Sequence, residues 1–94
     1  MELVWTRPAQ ADRKTIREFI ATSNPSAALK IDKLLSDRST SLINHPGLGR
    51  LGRLQGTREL VVHNNYILIY DVVNDLIRVL RVLHAARQWP PIKD

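Results

Sequence analysis

His84 and Arg87 stand three residues apart at the end of the mostly apolar run 76–83. An imidazole can move a proton near neutrality, and a neighbouring guanidinium can stabilise charge developing on a phosphorane, so the pair has the ingredients for phosphodiester cleavage. Most histidines at strand ends do neither, and spacing alone does not make this pair catalytic. A second group lies upstream: Arg50, Arg53 and Arg58, with no acidic residue anywhere between His45 and Arg58. That composition suits a polyanion, or simply solvates a loop. Arg58 adjoins Glu59, and in an alternating strand one of the two must face the core or a cleft. A half-buried Arg there calls for a carboxylate or phosphate partner, and an internal ion pair that orients the sheet is the other option.

The aromatics Trp5, Tyr66, Tyr70 and Trp89 could stack on a base or a partner. Tyr66 and Tyr70 are four apart and share a sheet face, which favours core packing. Trp89 precedes Pro90 and Pro91, is harder to bury, and is the better interface candidate. His45, His63 and His84 show no H-x-x-x-H or H-E-x-x-H spacing, so no metal site is expected. No P-loop, G-x-G-x-x-G or G-x-S-x-G motif occurs, and no cofactor is expected.

The chain that must position these residues has 94 residues, room for one domain spanning 1–94 with 90–94 as a flexible tail. A domain of this size buries roughly 60 to 70% of its unfolded surface, so its core is thin. Apolar content of 44% and charged content of 24% are ordinary for a folded protein. There is no cysteine, which removes disulfides, thiolate nucleophiles and Cys-ligated zinc. The N-terminus does not read as a signal peptide, and no apolar stretch approaches the ~20 residues of a membrane helix, so a cytoplasmic protein without membrane contact is expected. The net charge of +5 comes from 14 basic and 9 acidic residues spread along the chain.

Glu2 to Trp5 fits an initial strand. Thr6 can cap a following helix with Pro8 in its first turn, and Ile16, Phe19 and Ile20 form an apolar stripe opposite Asp12, Arg13, Lys14, Arg17 and Glu18, to about Ser23. Asn24-Pro25 repeats the signal, and Ile31, Leu34, Leu35 and Leu42 continue a second stripe until His45-Pro46-Gly47. The short connection predicts an antiparallel αα-hairpin. The segment 48–56 reads as a loop with its leucines turned in and its arginines out. From Thr57 the period becomes two, predicting strands at about Arg58–His63, Tyr66–Val72 and Ile77–Leu83 joined by short turns. Tyr66 to Tyr70 is apolar on both faces and belongs at the sheet centre, while the prolines near the C-terminus exclude a central strand there. The expectation is an α+β fold: an αα-hairpin packed on one face of a mainly antiparallel sheet, with the first strand at an edge.

This order of elements, with His45-Pro46-Gly47-Leu48-Gly49-Arg50, Gly56-Thr57-Arg58-Glu59-Leu60, Asn65-Tyr66-Ile67-Leu68-Ile69-Tyr70 and Val82-Leu83-His84-Ala85-Ala86-Arg87-Gln88-Trp89-Pro90, resembles the RelE/ParE toxin superfamily over nearly the whole chain. It is most similar to the ParE-like branch. The resemblance implies the toxin of a bacterial type II toxin-antitoxin module, of the kind tied to plasmid stabilisation, silenced by a cognate ParD-like antitoxin laid over the helical hairpin and an open sheet edge. It also implies one of two activities. RelE-like members are ribosome-dependent endonucleases that cut mRNA, whereas ParE-like members poison DNA gyrase.

RelE-like nucleases carry an Arg on the central strand in an Arg-Leu-apolar-Tyr pattern, where this chain has Ile67-Leu68-Ile69-Tyr70. An aliphatic side chain cannot neutralise phosphate charge, and losing one such contact costs a factor of ~100 to 1000 in rate. No tyrosine follows Tyr70 to match the one such nucleases place near the C-terminus. The expectation is therefore a gyrase-poisoning toxin with no catalytic residues of its own, binding its target through Arg50, Arg53, Arg58, His84, Arg87 and Trp89. The alternative is a RelE-like nuclease using Arg58, His84 and Arg87. A third option is a non-toxic basic RNA- or protein-binding domain.

Overall fold

The structure, a computed structural model, describes residues 1–91. Its elements run β1 (Glu2–Trp5), α1 (Arg7–Ala21), α2 (Pro25–Ser41), β2 (Arg50–Leu51), β3 (Arg58–His63), β4 (Tyr66–Val73) and β5 (Leu76–His84). Both helices start as their sequences require. The Thr6 hydroxyl accepts from the Ala9 N–H at 3.3 Å, Asn24 accepts from the Ala27 N–H at 3.0 Å, and each helix has its proline in the first turn, where the missing N–H costs nothing.

The sheet order is β1-β5-β4-β3-β2, so β4 is central and β1 lies at an edge. Pairing is antiparallel except between β1 and β5, which run parallel from Glu2↔Leu76 to Trp5↔Val79. After Trp5 the chain leaves the sheet for α1, and the second half of β5 has no strand on its outer side. The carboxylate of Asp12 on α1 covers part of that edge, accepting from the Val82 N–H at 3.0 Å and from Arg81 at 2.7 and 3.0 Å. A negative side chain here does the work of a missing strand.

The main core lies between the hairpin and one face of the sheet. Ala9, Leu35 and Leu42 meet Leu60, Val62, Leu68, Tyr70, Ile77, Val79 and Val82, with Trp5, Ile16, Ile31 and Leu34 around them. The two helices are also joined by Arg13 and Arg17 on Asp32, and Arg13 stacks 4.9 Å over the Trp5 ring. Arg13, foremost, holds the Asp32 carboxyl below its ordinary range. The opposite face of the sheet carries a smaller apolar cluster of Ile67, Ile69 and Leu83 with Trp89 packed on it.

Three expectations need correction. Phe19, assigned to the buried stripe of α1, is 73% exposed, because that end of the helix overhangs the uncovered part of β5. The segment 48–56 is not all loop, since Arg50 and Leu51 form β2 opposite Glu59 and Arg58. Its leucines do not turn in: Leu48, Leu51 and Leu54 are all exposed, because the backbone that carries them is tied down at Gly49, Gly52 and Arg53. The expected tail begins among described residues at Pro90 and Pro91, and its remainder, 92–94, lies outside them.

Candidate functional site

Two basic regions of the sequence fold into two different structures. In the first, Glu59 points away from the helices and is 2% exposed. Its carboxylate accepts from the Arg53 backbone N–H at 2.9 Å, from the Arg53 guanidinium at two distances of 3.1 Å, and from Arg50 at 3.1 Å. The Arg53 side chain, foremost, and then its backbone N–H and Arg50 outweigh burial and hold the Glu59 carboxyl down at about 2. Arg50 and Arg53 therefore do point to the surface, as expected, but their heads are folded back onto one buried anion.

Arg58 has neither of the partners expected for it. Its guanidinium donates to the carbonyl oxygens of Gly49 at 2.8 Å and Gly47 at 3.5 Å, and the buried member of the Arg58-Glu59 pair is Glu59. The internal ion pair exists, but it belongs to Glu59 with Arg50 and Arg53. The same loop is pinned at two further points. The Tyr70 hydroxyl accepts from the Gly49 N–H at 2.9 Å and donates to the Pro46 carbonyl at 2.8 Å, while the Gly52 N–H donates to the Thr57 carbonyl at 2.8 Å. A Cβ on residue 49 would sit 2.8 Å from the Tyr70 ring, and one on residue 52 would sit 2.3 Å from the Thr57 hydroxyl. The glycines permit close approach of the backbone.

In the second region, β5 ends at His84 and the turn 84–87 carries Arg87 next to it. With Asp12, Thr15, Ile16 and Phe19 of α1 and with Tyr66 and Val82, these residues line an open groove of about 500 Å³. His84 and Arg87, paired in the sequence reading, do meet at one site. The His84 ring packs edge-on to Tyr66 at 5.6 Å. Its Nδ1 accepts from the Ala86 N–H at 3.1 Å, so the neutral ring carries its proton on Nε2. The nitrogen left facing outward is then a donor and not a base. Asp12, the carboxylate of the groove, is already engaged by Arg81 and the Val82 N–H. The groove thus joins an apolar floor to a cationic rim, which suits binding, and it holds no base with an orienting acid.

Trp89 is not the free aromatic its prolines suggested. It is half-buried over Ile67, Ile69 and Leu83, with its indole N–H enclosed and unpartnered among the described residues. Ile67, at the position where charge would be needed, is 6% exposed within this cluster. Glu59, Asp12 and Phe19 carry the architecture of the two regions, whereas the sequence names Glu59 only as the neighbour of Arg58 and the other two only as opposite faces of α1. A signal for Glu59 was available: a lone acid in a basic glycine-rich stretch is the natural partner of its arginines. Among the described residues no group of acidic, His or Cys side chains could hold a metal ion, and no helix is long and apolar enough to cross a membrane.

A family model for the ParE toxin of the type II toxin-antitoxin system parDE matches residues 3–89. Toxin RelE2 of Caulobacter vibrioides is 38% identical over 86 residues, covering 92% of this chain and 97% of that protein. The putative toxin Y4kP of Sinorhizobium fredii is 34% identical over 89 residues, covering 94% and 92% respectively. Among solved structures, one chain of the chromosomal ParDE TA system from P. aeruginosa superimposes with a TM-score of 0.81 at 27% identity, covering 89% of this chain and 95% of that one.

Proposed function

We propose that this chain, which belongs to the family of ParE toxins of type II toxin-antitoxin systems, arrests growth by binding DNA gyrase and holding it with its DNA cleaved. Relatives bear both ParE and RelE names, so the choice of target rests on the site. The observation that carries it is Ile67: the central strand presents an aliphatic side chain, sealed among Ile69, Leu83 and Trp89, where a nuclease of this fold needs a cation. Arg50, Arg53 and Arg58 are all bonded within the chain, and the remaining nitrogen of the neutral His84 ring is a donor. A gyrase poison needs no acid or base of its own, because the enzyme supplies the strand cleavage. The toxin needs only a surface that binds.

Purified chain added to gyrase and relaxed plasmid is expected to abolish supercoiling and to leave linear DNA after protein denaturation. Unchanged supercoiling at a large excess of the chain would remove this reading.

The second reading, a ribosome-dependent mRNA endonuclease, is favoured by one observation: His84 and Arg87 share a groove. It predicts codon-phased cuts in translated messages, lost in His84→Ala and Arg87→Ala. Neutralisation by a cognate antitoxin goes with either reading. An amphipathic helix fits the apolar groove of about 490 Å³ lined by Ile20, Ala27, Ile31, Leu34 and Tyr66.

A further inference from the structure

The 48–54 segment combines two properties that seldom occur together. It exposes three leucines, Leu48 at 47%, Leu51 at 78% and Leu54 at 43%, and it is among the most firmly tied loops of the chain. Exposed apolar side chains on a floppy loop would collapse onto the core, at little cost to the rest of the fold. Here Glu59 takes the loop's polar groups inward through Arg50, Arg53 and the Arg53 N–H, and the leucines are left standing outward. Leu48 and Val61, the latter 48% exposed, border a shallow cleft of about 260 Å³ together with Arg38 and Arg50. Glu59 is the one carboxylate among that lining and among residues 46–63, against Arg38, Arg50, Arg53 and Arg58. Exposed leucines gathered within seven residues beside basic side chains suit an interaction site, and a surface held rigid before binding loses less entropy on docking.

We infer that this leucine ridge is the target-docking element, with Leu51 as its centre, and that its occupant is a protein surface with an apolar pocket bordered by carboxylates. The arginine border fixes the sign of the partner's charge. The leucines decide its class, since a phosphate backbone gains nothing from aliphatic side chains, whereas a protein pocket does. Glu59 is the positioning residue of this element. The inference rests on the gyrase reading and locates the contact on the toxin at β2 and the C-terminal turn of α2, away from the groove of His84.

The test uses the full chain carrying Leu51→Ser with Leu54→Ser, both at exposed positions, so the thermal midpoint should not move. The concentration that half-inhibits gyrase supercoiling is expected to rise about tenfold or more, as for loss of an anchor residue at an interface. Affinity for the antitoxin, taken from the adjoining reading frame, should stay the same. Glu59→Gln should also raise that concentration, and raising the salt should weaken the wild type. Undiminished inhibition by the leucine variant would overturn the docking element while leaving the gyrase reading standing. A parallel fall in antitoxin affinity, or in affinity for a 20-base-pair duplex, would overturn it by giving the ridge to another occupant. Wild-type chain without effect on gyrase would instead remove the parent reading and this one together.

Discussion

The loop around Arg50 and Arg53 and the groove around His84 and Arg87 have similar compositions and opposite constructions. In the loop each arginine is bonded within the chain, two of them, Arg50 and Arg53, to one buried carboxylate. In the groove neither the His84 Nε2 nor the Arg87 guanidinium has a hydrogen-bond partner among the described residues, and the nearby carboxylate of Asp12 is committed to β5. The first region uses its arginines to brace the segment that carries the exposed leucines, and the second leaves its cation unbonded beside an apolar groove. Counting basic residues cannot separate these cases. The separation depends on whether an anion of the same chain lies within reach, and on how deeply that anion is buried.

The sharpest way to break this contrast is Glu59→Ala. It removes the anion and leaves the Arg53 N–H without an acceptor, and an effect of about 3 kcal/mol, lowering Tm by more than about 10 °C, is expected. A change near zero by thermal denaturation would mean that the loop is held by its other contacts. The same pair has a pH signature. Because the folded-state value of Glu59 is near 2 and its ordinary value is 4.5, its stabilisation is complete above about 4.5 and is lost as pH falls from there through about 2. Wild type and Glu59→Gln should therefore converge in stability as pH falls through that window and diverge above it. Parallel curves would assign the acid sensitivity to other groups, Asp32 first among them.

A smaller effect is expected from Gly49→Ala. The new methyl would lie 2.8 Å from the Tyr70 ring and 3.0 Å from the Glu59 carbonyl, forcing the loop to shift at a cost of about 2 kcal/mol in denaturant unfolding. Arg87→Ala should be nearly silent, within about 0.5 kcal/mol, because its side chain is exposed, and His84→Ala should cost no more than about 1 kcal/mol, its edge-on contact with Tyr66 being the main loss. A large loss of stability in either would make the groove scaffold too, and the contrast would vanish.

Most of the fold was legible in the sequence, for reasons that particular residues make plain. Thr6-Arg7-Pro8 and Asn24-Pro25 marked both helix starts, because a capping oxygen and an N-terminal proline satisfy local needs that no distant contact changes. The doubly apolar run Tyr66 to Tyr70 marked the central strand, since only a strand flanked on both sides and covered on both faces can hide it. What escaped were interactions between residues far apart or out of period. Asp12 looked like a solvent-facing helix residue, yet it serves a strand seventy positions away. Leu48, Leu51 and Leu54 looked like core by their apolar character, but the backbone that carries them is held at the surface by bonds from Tyr70, Thr57 and Glu59, all distant in sequence or out of period. Trp89 was judged by its prolines, whereas the face it covers is created only when β4 and β5 pair.

The most direct test of the central claim is a paired assay on one preparation of the chain, combining gyrase supercoiling of plasmid with primer extension on messages under translation. Inhibited supercoiling with trapped cleaved DNA, alongside intact messages, is the predicted result. Normal supercoiling alongside codon-phased cuts that disappear in His84→Ala would contradict it.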